Sequence, residues 1–215
     1  MPIREKLAKR ASKAGLSLPG EVNDGLHAYF ELLRKWNRKV SLTSLPVEDA
    51  GDEAIDRLLV EPVLAARYLP KPDVALLDLG SGGGSPAVPI KIAVPTVNLR
   101  MVESKTRKAA FLREVVRSLS LDPAFVEAVR FEELLARPAM HDAFDVVTMR
   151  AVRIDRKVIA QVQSFVRPGG SLFLFGSAAP SMGEIAVPHL TPLASHVLLK
   201  QWGSYLHILS KPAVR

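Results

Sequence analysis

The sequence predicts an α/β protein: a mostly parallel, doubly wound sheet of seven strands, closed by an antiparallel C-terminal hairpin and preceded by a helical extension. Three observations carry this. From Val74 onward, short apolar runs alternate with amphipathic stretches, the pattern of βαβ units. The last two apolar runs are separated only by Gln201-Trp202-Gly203, too short for a crossover and suited to a hairpin. Before about position 70 the apolar residues recur at helical spacing instead.

Taken in order, Leu26, Tyr29, Phe30, Leu33 and Trp36 follow Pro19-Gly20 at helical spacing and predict a helix over 21–39. Strands are expected at 74–79, 98–102, 125–129, 144–149 and 171–175, with helices between them, and at 196–200 and 204–210 as the hairpin. The chain divides into a helical extension, 1–70, and a sheet-bearing core, 71–215.

With 215 residues, 48% of them hydrophobic, the chain can build one sizeable core and does not need two. There is no cysteine, which excludes disulfides, thiol nucleophiles and thiolate metal sites. The five histidines are scattered without paired-ligand spacing, so no metal is expected. No apolar run approaches the roughly 18 residues of a membrane span, and Arg4-Glu5-Lys6 is not followed by a signal-peptide core. A cytoplasmic monomer without membrane contact is expected.

A net charge of +7 points to a polyanionic partner, nucleic acid first among them. The charge is front-loaded: residues 1–40 hold nine Lys or Arg against four acids. Singly, each such cation suits a solvated helix face. Together, Arg34, Lys35, Arg38 and Lys39 cluster beside Trp36 and Asn37 where the helix runs into a loop.

The stretch from Leu76 to Pro86 runs from an apolar strand into Gly80, Gly82, Gly83 and Gly84, where glycine lets the backbone turn tightly and approach a ligand. It does not complete GxGxxG, because Ser85 takes the last position. About 20 residues on, at the end of the second strand, stands Glu103, where nucleotide-binding α/β proteins place an acid for ribose hydroxyls. Glu103 could alternatively cap the following helix, a task open to Ser104 as well. The run Asp78-Leu79-Gly80-Ser81-Gly82-Gly83-Gly84 resembles the DxGxGxG of class I S-adenosylmethionine (SAM)-dependent methyltransferases. Dinucleotide dehydrogenases usually carry an apolar residue in place of Asp78. A parallel sheet ending in an antiparallel hairpin is also the usual plan of that class.

More motifs narrow the resemblance: Lys35-Trp36-Asn37 with Leu42-Thr43-Ser44, the Pro86 and Pro89 pair after the glycines, Glu103-Ser104 with Arg107-Lys108, and Arg150-Ala151. In this order they resemble the bacterial small-subunit ribosomal RNA guanine-N7 methyltransferases, also called the glucose-inhibited division protein B family. The resemblance implies that SAM is held by Asp78, Gly80, Ser81, Gly82, Gly84 and Ser85. It adds Glu103 with Ser104 at the ribose, and Arg130, Phe131 and Glu132 beyond. Arg150 would touch the cofactor and serve as the catalytic residue. Lys35, Asn37, Arg38, Thr43 and Arg153 would meet a ribosomal RNA or small-subunit substrate. Asn37 and Thr43 could equally be turn-stabilising residues.

The departures cluster on the acceptor side. Where the family usually has Arg-His-x-x-Asp-Ser, this chain reads Arg57-Leu58-Leu59-Val60-Glu61-Pro62, and a lysine and an arginine of the family correspond to Phe175 and Ser204. Other acceptors, or SAM and RNA binding without catalysis, therefore stay open. Guanine N7 has a lone pair and no proton, so its methylation needs positioning and electrostatics but no general base.

Overall fold

The computed structural model describes residues 1–150, 155–176 and 187–213. Two helices open the chain, α1 (Ile3–Lys13) and α2 (Gly20–Asn37). Leu26, Tyr29, Phe30 and Leu33 form a fully buried stripe on α2, the cause of its helical spacing. The helix ends two residues earlier than the spacing predicts. The Lys39 and Val40 amides fold back onto the Trp36 carbonyl, both at 2.9 Å, and the Asn37 side chain then builds the next turn. A short α3 (Asp52–Ile55) winds into a π-helical stretch, Asp56–Val60, which continues as α4 (Glu61–Ala66).

The remaining elements alternate as expected: β1 (Ala75–Leu79), α5 (Ala87–Ala93), β2 (Asn98–Val102), α6 (Thr106–Ser118), β3 (Ala124–Glu127) and α7 (Phe131–Leu135). They continue with β4 (Phe144–Arg150), α8 (Arg156–Val162), β5 (Val166–Gly176), β6 (Thr191–Leu199) and β7 (Ser204–Ser210). The sheet has seven strands in the order β3-β2-β1-β4-β5-β7-β6. The first five are parallel, and β7 lies antiparallel between β5 and β6.

Three strands begin earlier than the sequence suggests, β3 by one residue and β5 and β6 by five each. Residues 167–170 of β5 (Arg-Pro-Gly-Gly) and Pro192 of β6 resemble turns in composition. Pro192 is nevertheless paired with Leu209 and Thr191 with Ser210, whereas 167–170 do turn out of the ladder. There the register with β4 passes from Val166 to Ser171, Gly169 has φ +77°, and the Gly169 amide donates to the Lys211 carbonyl and the Lys211 amide to the Gly170 carbonyl, both at 2.9 Å.

Strand alternation sorts the core into two layers. Leu76, Leu99, Met101, Val146 and Phe173 join the buried residues of α2, α4, α5 and α6 in one cluster, which α1 completes from outside by packing on α2 and the π-helical stretch. Leu77, Leu79, Val147, Leu172 and Leu174 face Leu134 of α7 and Ile159 and Val162 of α8. The N-terminal helices thus share one core with the sheet instead of having their own. No helix among the described residues is long and apolar enough to cross a membrane.

Candidate active site

The chain lays β2 and β3 to one side of β1 and returns β4 to the other, so the connections leaving β1 and β4 diverge at neighbouring carboxyl ends. In open α/β sheets that crevice is where ligands bind. The glycine loop follows β1, and Arg150 ends β4.

Register places the partners of the loop. Leu79 pairs with Val102, so Glu103 falls one residue beyond the end of β1, beside Gly80. The Gly80 and Ser81 amides donate to the Val102 carbonyl at 2.9 and 3.0 Å, and the Gly82 amide donates to Glu103 Oε2 at 2.9 Å. Glu103 Oε1 accepts from the Lys105 amide at 2.7 Å. Glu103 thus braces the segment that leads into α6 without capping the helix, whose N-cap is Lys105, and each carboxylate oxygen keeps lone-pair capacity for a second donor.

Two glycines carry the loop's shape. Gly84 has φ +90°, and a Cβ there would meet Val88 Cγ2 at 2.9 Å and Leu112 Cδ2 at 3.2 Å, so only glycine fits between α5 and α6. Gly80 has φ +69° and open space where a side chain would stand. From behind, the buried Tyr29 hydroxyl of α2 donates to the Gly83 carbonyl at 2.6 Å. Burial pushes that phenol's pKa up, with the Arg150 charge working against it.

Six of the expected cofactor residues come together here. Gly80, Glu103, Ser104, Arg130, Phe131 and Glu132 line one cavity of about 360 Å³, a size suited to a small ligand. Ser81 is buried and bonds the Asp78 carbonyl at 3.1 Å. Gly82 and Gly84 shape the loop from within. Asp78 lies beneath it, fully buried, its Oδ1 accepting from Thr148 Oγ1 at 2.6 Å because β1 and β4 register these two residues side by side. Its Oδ2 has no hydrogen-bond partner among the described residues. Burial pushes the Asp78 carboxyl up to about 6, with the Thr148 hydrogen bond and the Arg150 charge opposing. A buried, half-satisfied carboxylate under an open glycine turn, beside an acid at the strand end, fits a ligand carrying both hydroxyl donors and positive charge.

Ser85 and Arg150 meet on the other side of the loop. Arg150 Nη1 pairs with Glu61 Oε1 at 2.6 Å, and its Nη2 reaches the Arg57 carbonyl at 3.3 Å and Ser85 Oγ at 3.5 Å. Ser85 Oγ donates to the Leu58 carbonyl at 3.0 Å. Both carbonyls belong to the π-helical stretch, whose winding turns them toward the crevice.

The residues expected to face the substrate separate into two groups. Lys35, Arg38 and Lys39 join Trp36, Val40 and Arg107 around a groove of about 770 Å³ between α2 and α6. Arg38 spends its charge locally on Glu48, at 2.9 Å. Asn37 and Thr43 are occupied as turn builders: Asn37 Oδ1 accepts from the Leu42 and Thr43 amides at 2.9 and 3.1 Å, and Thr43 Oγ1 from the Leu45 amide at 3.1 Å. Arg153 lies outside the described residues. Sequence reasoning missed Tyr29 and Thr148, whose only sequence signal was a polar atom on a core-facing position.

A seven-stranded sheet of this order, with an acid-gated glycine loop at its switch point, defines a class I SAM-dependent methyltransferase. The family model described as rRNA small subunit methyltransferase G matches residues 22–186, and the chain belongs to that family. A relative from Sorangium cellulosum, called ribosomal RNA small subunit methyltransferase G, is 33% identical over 97% of this chain and 83% of its own. Among solved structures the [4+2]-cyclase SpnF superposes with a TM-score of 0.63 at 13% identity, covering 91% of this chain and 97% of its own. The M. jannaschii TYW2 complex with AdoMet gives 0.51 at 12%, covering 71% and 74%. At such identities these two likenesses establish the fold alone.

Proposed function

We propose that this enzyme transfers a methyl group from SAM to guanine N7 in small-subunit ribosomal RNA, working as a cytoplasmic monomer. The observation that carries the reading is the pairing, at one switch point, of a ribose-type acid site at Glu103 with an arginine on the opposite lip, in a chain of this family. Glu103 and the Gly80 turn would hold the cofactor's nucleoside, with Arg130, Phe131 and Glu132 forming the far wall, and Asp78, buried beneath the turn, would act on the cofactor's charged part through its field. When bound, the cofactor supplies an electrophilic methyl group. Arg150 orients the acceptor against it. Because N7 bears no proton, the residues need only position the base and shield the site from water.

The helical extension, 1–70, is the RNA-facing part in this reading and 71–215 the cofactor-binding part. Lys35 and Lys39, with Arg107 across the groove, offer charge to phosphates, and Trp36 offers an apolar face. N7 lies in the deep groove of A-form RNA, so the target base must be in a loop or drawn out of its stack.

Radiolabelled SAM offered to deproteinised small-subunit rRNA, to intact subunits and to a protein extract, the RNA coming from cells lacking the gene, tests this. Label is expected in RNA, at a base-labile N7-methylguanine. Label confined to protein, or none in RNA while SAM still binds, would overturn the acceptor assignment. Lys35→Glu should weaken RNA binding and reduce the slope of log affinity against log salt by about 1.

A further inference from the structure

We infer that Glu61 is a positioning residue for methyl transfer, which fixes the Arg150 guanidinium and is itself fixed by Ser204; this rests on Arg150 serving the transfer proposed above. Four elements converge on this arginine. Glu61, at the start of α4 and only 1% exposed, gives one carboxylate oxygen to Arg150 Nη1 at 2.6 Å. Its other oxygen accepts from Ser204 Oγ, the first residue of β7, at 2.6 Å. Phe175, the β5 residue registered beside Arg150, lies under the guanidinium with its centroid 5.0 Å away. The Arg57 carbonyl of the π-helical stretch takes Nη2 at 3.3 Å.

This arrangement does little for stability. A buried carboxylate loses its hydration, and its attraction to a cation often no more than restores the loss. An apolar cluster at the same place, beside Phe175 and Leu58, would hold the elements together as well. What the network does achieve is one orientation for one side chain. An arginine has several rotatable bonds, and at 27% side-chain exposure Arg150 would otherwise sample the crevice. The acid, the ring and the carbonyl fix its plane before an acceptor arrives. They also offset its charge, so that it acts at the rim as a directed donor and not as a free cation.

Three of the positions at which the chain departs from the pattern it resembles, Glu61, Phe175 and Ser204, belong to this same cluster. Glu61 bonds Ser204 and Arg150, and Arg150 rests on Phe175. These three departures thus form one contact network, in which an acid and a hydroxyl hold the arginine over a ring.

The test is a double-mutant cycle on the full-length enzyme with SAM and the RNA acceptor. Glu61→Gln is expected to lower kcat roughly 10- to 100-fold, with SAM affinity and the KM for RNA unchanged. In an Arg150→Ala background the same substitution should cost nothing further, because the residue it positions is gone. Ser204→Ala should produce a smaller loss of the same kind, and it carries the test if the Glu61 variant fails to fold. A second readout needs no activity: phenylglyoxal modification of Arg150, mapped by peptide mass spectrometry, should speed up in both single variants while exposed Arg67 reacts as before. Additive losses in kcat, or unchanged Arg150 reactivity, would overturn the inference. If the parent enzyme labels no RNA at all, the function assignment fails while the modification arm still reports on the clamp.

Discussion

Two buried ionisable side chains show how satisfaction separates architecture from function. Lys91 is 2% exposed, and its ammonium donates to the Pro95, Val97 and Asp122 carbonyls at 2.5, 2.7 and 2.9 Å. All three protons are used, so it ties loops together and offers nothing to a ligand. Asp78 is as deeply buried but keeps Oδ2 without a partner among the described residues. Its ordinary value is 3.8 and its value in the fold about 6, so between those pH values the unfolded chain ionises while the fold retains the proton. The group therefore favours folding at low pH. That contribution is lost as pH rises through about 6, leaving a cost on the order of 3 kcal/mol for the folded carboxylate at neutral pH. Asp78→Asn should raise the Tm of the ligand-free protein at neutral pH, the gap closing toward pH 4, while weakening SAM binding. Thermal scans across pH with calorimetric titration of SAM check both. A variant that lost stability at neutral pH would show that the carboxylate is no burden to the fold.

At the scale of elements, the glycine loop separates strain from ligand contact. Gly84→Ala forces a side chain against Val88 and Leu112 at φ +90° and should cost roughly 2–4 kcal/mol. Gly80→Ala bears only the backbone penalty of about 1–2 kcal/mol, since its Cβ meets nothing within 4 Å. That methyl would stand in the space assigned to the cofactor, so Gly80→Ala should lose more SAM affinity per unit of stability than Gly84→Ala. Equal binding by Gly80→Ala and the parent would remove this turn from the cofactor site. The loop itself was legible in the sequence because glycine, a strand-end acid and strand periodicity are local signals. The clamp on it was not. Tyr29 sits on a helical stripe like any core residue, and its hydroxyl reaches Gly83 across 54 positions of chain. Thr148 meets Asp78 only through strand register. Asn37 shows the reverse case, a residue singled out for substrate whose oxygen is spent on two amides of its own turn.

For the whole molecule, the question is whether the helical extension can act apart from the sheet. Composition separates the two, but the core does not: Leu7, Leu26 and Phe30 belong to the same apolar cluster as Leu76, Ile90 and Phe173. A polar hub reinforces the union. Asp56, 1% exposed, takes Arg10 Nε of α1 at 2.8 Å on one oxygen. Its other oxygen accepts from Arg10 Nη2, from Gln201 Nε2 at 3.1 Å and from the Trp202 indole at 2.8 Å. One carboxylate thus joins the first helix, the π-helical stretch behind Arg150 and the turn of the C-terminal hairpin. Removing its charge leaves Arg10, whose side chain is 12% exposed, with the half-exposed Asp52 at 2.7 Å as its remaining counter-ion. Asp56→Asn should therefore cost roughly 2–3 kcal/mol, the loss of charge-assisted hydrogen bonds, or about 7 °C in Tm for a chain of this size. Unfolding should remain a single transition, because the shared apolar cluster still couples the parts. The chain's two tryptophans report from separate places, Trp36 at the end of α2 and Trp202 in the hub. Urea titration followed by fluorescence and by far-ultraviolet circular dichroism should give coincident curves for the parent and the variant. If instead the variant loses its helical signal first and its sheet later, the extension is a separable domain, and an RNA-binding surface built on α2 could move relative to the methyl-transfer site.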